Sequence, residues 1–169
     1  MATTRSAFTR AAGLDDVVRQ AGESAVRTLI FDVEPLVAYW DGGQGALDKG
    51  IARVLGAVAV LPAVAVVCFA TNSVRRPSAP PQAPGVRVVY LASAGKPLRT
   101  APYLGFPRPG MVIGDQVPTD GILARRLGYS FVMVDPQTEV PAGPRLMAAC
   151  GRLVRPLLFR RADPAPPSR

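Results

Sequence analysis

Thr28-Leu29-Ile30-Phe31-Asp32-Val33-Glu34 is the stretch that most restricts how this chain can fold. Apolar, β-favouring residues run directly into two acids one residue apart, the pattern of a buried parallel strand that delivers carboxylates at its carboxyl end. Open α/β sheets bind ligands at that edge. Alternation along an extended chain sends Asp32 and Glu34 to the same side, and Pro35, which has no N–H for a ladder, ends the strand there. The plainer alternative is that both acids only solvate a strand end.

The rest of the chain supplies partners for such a strand. Ile51, Val54, Leu55 and Val58 stand at helical spacing and predict a crossover helix over 48–60. A shorter helix is expected over 13–21, with Asp15 and Asp16 in its first turn, and another over 119–127. Strands are predicted at 26–32, 63–69, 86–91, 111–114 and 129–134. Prolines at 77, 80, 81 and 84 exclude a helix between the second and third of these. Strands alternating with helical connections imply a parallel sheet, right-handed crossovers and a three-layer α/β/α sandwich. Residues 1–12 read as a flexible lead, 13–161 as one domain closed by a helix over 145–161, and 162–169 as a disordered proline-rich tail.

Composition removes several chemistries. The 169 residues contain no histidine, so an imidazole base or ligand is impossible, and Cys68 and Cys150 are too few for the usual zinc sites. Neither belongs to a Cys-x-x-Cys pair, and a reducing cytosol with both thiols as small core residues is the expectation. The net charge of +8 admits an anionic partner. No basic stretch interleaved with aromatics supports nucleic-acid binding. The amino end lacks the apolar core of a secretion signal. The uncharged run from Val54 to Ala70 is interrupted by Gly56 and Pro62, which favours a helix end, a turn and a buried strand over a membrane span.

Polar groups follow the strands in a defined order. Asp32 and Glu34 follow the first, Thr71-Asn72-Ser73 the second, and Lys96-Pro97 the third. Gly114-Asp115-Gln116-Val117-Pro118-Thr119-Asp120 follows the fourth. This order resembles the haloacid dehalogenase (HAD) superfamily of phosphohydrolases, and within it the YqeG-type, phosphatidylglycerophosphatase-like branch. The branch reads Asp-x-Asp-x-Thr-Leu-x-x-Trp, Ser/Thr-Asn, Lys-Pro and Gly-Asp-Gln-x-x-Thr-Asp. Here the first of these is Asp32-Val33-Glu34-Pro35-Leu36-Val37-Ala38-Tyr39-Trp40, and the likeness covers about residues 26–135.

The resemblance implies a Rossmann-like HAD sheet and an Mg²⁺-dependent phosphatase. Asp32 would be the nucleophile that forms an aspartyl-phosphate, and Glu34 the group that handles the proton. Asp32, Asp115 and the carbonyl of Glu34 would hold Mg²⁺, with Asp120 orienting a ligand water or the lysine. Thr71 and the amide of Asn72 would bind phosphoryl oxygens, while Lys96 offsets charge on Asp32 and the phosphate. A phosphomonoester dianion repels a carboxylate nucleophile, which is why a hard divalent cation belongs in such a site. The plainer alternatives are a helix cap for Thr71-Asn72-Ser73, a surface lysine for Lys96 and a first-turn helix acid for Asp120.

Two departures bear on turnover. Glu34 stands where the family has aspartate, one methylene shorter, and Leu36 replaces the usual hydroxyl. They leave open a second function: a catalytically impaired HAD-fold binding or scaffold protein that keeps the phosphate pocket. The gaps between Asp32, Thr71 and Lys96 are too short for a cap domain, so the site is expected to be open to bulky substrates. A lipid phosphate such as phosphatidylglycerophosphate is the one the branch implies. The basic segment 145–161 would then suit peripheral contact between a cytoplasmic protein and an anionic membrane, or else a final helix packed on the sheet.

Overall fold

Leu29, Ile30 and Phe31 form the centre of a strand buried on both faces. The computed structural model, which describes residues 7–135 and 159–161, places that strand in the middle of a parallel sheet. In chain order the elements are β1 (Ala7–Ala11), α1 (Leu14–Glu23), β2 (Thr28–Asp32), α2 (Gln44–Val58), β3 (Val66–Ala70) and β4 (Arg87–Leu91). They continue with β5 (Gly110–Gly114), α3 (Ile122–Leu127), β6 (Ser130–Val134) and the two-residue β7 (Arg160–Arg161). The spatial order is β4-β3-β2-β5-β6-β1-β7, with every pair parallel. β2, β3 and β5 are buried along their whole length, as inner parallel strands covered on both faces must be.

Side chains alternate between two apolar clusters. Leu29 and Phe31 face α1 and α2, where Val17, Ala21, Leu47, Ile51, Val54 and Val58 pack with Phe69 and Ile113. Ile30 faces the other way, among Cys68, Val112 and Phe131, with Leu123, Ala124 and Leu127 of α3 and the rings of Tyr103 and Phe106. Each such side chain contributes about 1.5–3 kcal/mol on full burial, so the alternation specifies the register of β2 strongly. Gly50 lets α2 lie against the loop that leaves β2, since a Cβ there would overlap the carbonyl oxygen of Val37.

The register positions the site. Asp32 pairs with Ala70, Phe31 with Ile113, and Ala70 with Leu91, so the segments after β2, β3, β4 and β5 all leave the sheet at one edge. From β2 the chain runs outward through β3 to β4, then returns to β5 on the opposite side of β2 and runs outward to β6. The reversal lies between β2 and β5, where open sheets of this kind leave a crevice.

The structure departs from the expected organisation at three places. Residues 7–11, expected within a flexible lead, form β1 beside β6. Phe8 anchors it, its ring 5.8 Å from Phe131 and 5.7 Å from Phe159, while Thr9 and Arg10 hide the strand from an alternation test. The helix expected over 119–127 splits into a π-helical turn, Val117–Gly121, followed by α3. Of the closing helix expected over 145–161, residues 145–158 lie outside the described residues, and Arg160–Arg161 pair with β1 as a strand instead. The tail 162–169 and Cys150 also lie outside the described residues. The uncharged run Val54–Ala70 divides into the end of α2, a turn and β3, and among the described residues no helix is long and apolar enough to cross a membrane.

Candidate active site

Asp32 is the last residue of β2, and Asp115 immediately follows β5, its neighbour, so strand pairing alone brings both to the reversal point. Asp120 arrives by a different route. Val117–Gly121 closes a single wide turn in which the N–H groups of Asp120 and Gly121 donate to the Gln116 carbonyl, at 2.9 and 3.3 Å. The turn folds Asp120 back over Gly114, where a Cβ would overlap its carboxylate, so only glycine fits before Asp115. Carboxylate oxygens of Asp32, Asp115 and Asp120 then lie within 4.8 Å of one another.

Lys96 reaches this cluster because Asn72 holds its backbone. The Asn72 side-chain N–H donates to the Lys96 carbonyl at 2.9 Å, and the Lys96 N–H donates to Asn72 Oδ1 at 2.8 Å. So aimed, Lys96 Nζ sits 2.8 Å from Asp32 Oδ1 and 2.7 Å from Asp120 Oδ1, with all three groups buried. Burial works against the lysine charge, but the attraction of Asp120 and Asp32 outweighs it and raises its pKa. Burial and then the negative charge of Asp120 raise the Asp32 pKa, with Lys96 opposing. Asp115 is pushed up to about 7 by burial and by Asp120.

Among the described residues Asp115 Oδ1 is buried without a hydrogen-bond partner, and the Lys96 ammonium contacts Asp32 and Asp120 but not Asp115. A buried acceptor left this way costs about 1–3 kcal/mol, so the cluster fits a group that is both positive and oxygen-seeking. An octahedral hard cation with ligands near 2.0–2.1 Å places adjacent oxygens roughly 3 Å apart and opposite ones roughly 4 Å apart. The spacing of the three aspartates lies within reach of that arrangement. They can hold a metal ion.

Glu34 occupies the other wall. Its buried carboxylate accepts from the Thr71 hydroxyl at 2.6 Å and the Ser73 hydroxyl at 3.2 Å, and lies 3.9 Å from the Arg75 guanidinium. Its side chain is therefore directed to the strand β3 side and not into the aspartate cluster. Between the two walls lies a cleft of about 200 Å³, onto which Asp32, Glu34, Thr71, Asn72 and Lys96 all open, with Trp40 at its rim.

All the acids, hydroxyls and the lysine expected from sequence thus line one edge of the sheet. Ser73, Gln116 and Thr119 belong to the polar sets at the strand ends but have no role in the sequence reading, and Arg75 lies outside those sets. Ser73 and Arg75 touch Glu34, and Gln116 and Thr119 line the cleft. Ser73 stands beside Thr71-Asn72 and carried a usable signal by adjacency, whereas nothing in the sequence separates Arg75 from the other arginines. Cys68 is buried against the lysine side of the sheet, and burial pushes its thiol up to about 12, which fits an inert core residue.

No protein-family model, no curated protein and no solved structure matches the chain.

Proposed function

We propose that the chain is an Mg²⁺-dependent phosphomonoester hydrolase of the HAD type, acting through an aspartyl-phosphate on Asp32. One observation carries it: carboxylate oxygens of Asp32, Asp115 and Asp120 lie within 4.8 Å of one another, Asp115 Oδ1 is buried with no partner among the described residues, and Lys96 takes one oxygen each of Asp32 and Asp120. Asp32, Asp115 and Asp120 would hold the ion, which when bound screens the phosphoryl charge from the attacking carboxylate.

The residues of the chain supply the rest. An Asp32 oxygen attacks phosphorus as the bond to the ester oxygen breaks, and the leaving oxygen takes its proton from the Glu34 carboxyl. Water then attacks the aspartyl-phosphate, gives its proton back to Glu34, and releases phosphate with Asp32 restored. Lys96 offsets negative charge on Asp32 and the phosphoryl oxygens. The Thr71 hydroxyl, once turned from Glu34, and the backbone N–H of Asn72 would hold those oxygens. Positioning and electrostatics dominate phosphoryl transfer, which suits so small a set of groups.

A three-layer sandwich without a cap belongs to this proposal, supported by apolar clusters on both faces of the sheet and by the short links between β2, β3 and β4. So does a bulky substrate such as a lipid phosphate, met at a cytoplasmic membrane surface with residues 145–161 in peripheral contact. The open cleft and the net charge of +8 support it.

The hold of Thr71, Ser73 and Arg75 on Glu34 favours a second function, a binding protein that keeps the pocket without efficient turnover. Hydrolysis of p-nitrophenyl phosphate with Mg²⁺, compared with Asp32→Asn, separates the two. Release that depends on Asp32 supports the hydrolase. Phosphate binding without Asp32-dependent release supports the binding protein.

A further inference from the structure

Arg75 is fixed from its own side before it touches anything else. Tyr90 of β4 donates its hydroxyl to the Arg75 carbonyl at 3.0 Å. On the next residues, Gln44 of α2 donates to the Arg76 carbonyl at 2.7 Å, and Asp48 accepts from both the N–H and the hydroxyl of Ser78, at 2.9 and 2.6 Å. The segment is thus seated on the sheet and on the first turns of α2.

From that base the guanidinium reaches across to the loop that follows β2. It donates to the carbonyls of Tyr39 at 2.7 Å and Gly43 at 3.2 Å, and also to that of Gly42. Those carbonyls flank Trp40, which stands at the cleft rim and is 39% exposed. Arg75 Nη1 also faces the Glu34 carboxylate at 3.9 Å. A planar fork with five N–H donors can reach acceptors spread over several residues at once, whereas the three donors of a lysine ammonium leave from one atom.

We propose that Arg75 is a positioning residue that fastens the Trp40 loop over the cleft and holds Glu34 on the wall formed by Thr71 and Ser73. The kinetic half of this rests on the hydrolase proposal; the structural half does not. With the fork removed, the loop carbonyls lose their shared donor and Trp40 swings out to solvent. Glu34 keeps its two hydroxyl partners but loses its only nearby guanidinium among the described residues.

Trp40 is the only tryptophan in the chain, so its fluorescence reports the loop without interference. Acrylamide quenching and anisotropy are measured on the full chain for the native protein, Arg75→Ala and Arg75→Lys, without substrate, with circular-dichroism melts to establish folding. Both variants are expected to raise quenching and lower anisotropy while remaining folded, since lysine keeps the charge without the fork. If Arg75→Ala does not fold, Arg75→Lys decides. Unchanged quenching and anisotropy in a folded Arg75→Lys overturn the proposal. With p-nitrophenyl phosphate and Mg²⁺, both variants are expected to lose roughly tenfold in kcat/KM through the freed Trp40 loop, since Thr71 and Ser73 still hold Glu34. Absence of Asp32-dependent release in every form, native included, removes the hydrolase and leaves Trp40 to judge the clamp. An active native enzyme whose Arg75 variants keep full kcat/KM overturns the kinetic half.

Discussion

The Thr71 hydroxyl donates a 2.6 Å hydrogen bond to Oε2 of Glu34, so two residues expected to meet the phosphoryl group meet each other. The extra methylene of glutamate is what makes this reach possible. Aspartate at position 34 draws the carboxyl back toward β2 by about a carbon–carbon bond and leaves the Thr71 hydroxyl for a ligand. Glu34→Asp is therefore expected to raise Asp32-dependent p-nitrophenyl phosphate hydrolysis by about tenfold or more, a misplacement near 1 Å being able to cost a hundredfold. Equal or lower activity in Glu34→Asp would show that the longer acid is already the competent one. The companion change Thr71→Val removes a donor from a buried carboxylate and is expected to lower unfolding stability by about 1–3 kcal/mol in urea titrations.

Lys96 is the sole cation touching Asp32 and Asp120 among the described residues, with Nζ 2.8 and 2.7 Å from their oxygens. Removing one partner of a buried ion pair costs about 3–5 kcal/mol because the charge left behind has no solvent. Lys96→Met in metal-free protein is expected to lose that much in urea unfolding, and added Mg²⁺ to recover part of it. A Lys96→Met protein as stable as the native form would mean that the acids are neutral or solvated.

Asp115 supplies the pH dependence. Its pKa is raised from 3.8 to about 7 by burial and by Asp120. Between those values the folded, metal-free chain keeps a proton that the unfolded chain has already lost. This group therefore makes stability fall as pH rises through the window, and its contribution levels off above about 7. Metal binding needs the ionised form, so Mg²⁺ affinity should weaken roughly tenfold per pH unit below about 7. Calorimetric titration with Mg²⁺ from acid to neutral pH, and melting of the metal-free protein over the same range, test both signs. Asp115→Asn is expected to abolish the Asp115 slope in stability along with Mg²⁺ binding.

Gly114 carries the Asp120 carboxylate directly against its Cα, so Gly114→Ala must push Asp120 off Lys96 or shift the strand. Overpacking of this kind costs about 1–3 kcal/mol. Gly114→Ala is expected to lower the melting temperature and to weaken Mg²⁺ binding in the same preparation. Loss of stability with intact Mg²⁺ binding would show that Asp120 is dispensable to the ion.

Much of the scaffold is written in local pattern. The strands near 26–32, 63–69, 111–114 and 129–134 are legible because inner parallel strands must be apolar on both faces, the edge strand near 86–91 by its run of β-favouring residues, α2 by its helical spacing and α1 by the acids of its first turn. β1 escapes such a test, for its only large apolar anchor is Phe8 and its polar residues resemble a lead. The wide turn at Val117–Gly121 escapes it as well, since its backbone pairing with Gln116 leaves no periodic mark.

The amino-acid sequence by itself determined that Asp32 ends one strand and that Thr71, Lys96 and Asp115 come after three others, because hydrophobic runs and their polar ends are properties of neighbouring residues. Only the tertiary structure decided that Glu34 turns to Thr71 while Asp120 turns to Lys96, and that Arg75 spans from Glu34 to the Trp40 loop. Those pairings join residues tens of positions apart. A side chain's direction there is chosen by which distant partner satisfies its charge in a site with little water, and no local pattern encodes that choice.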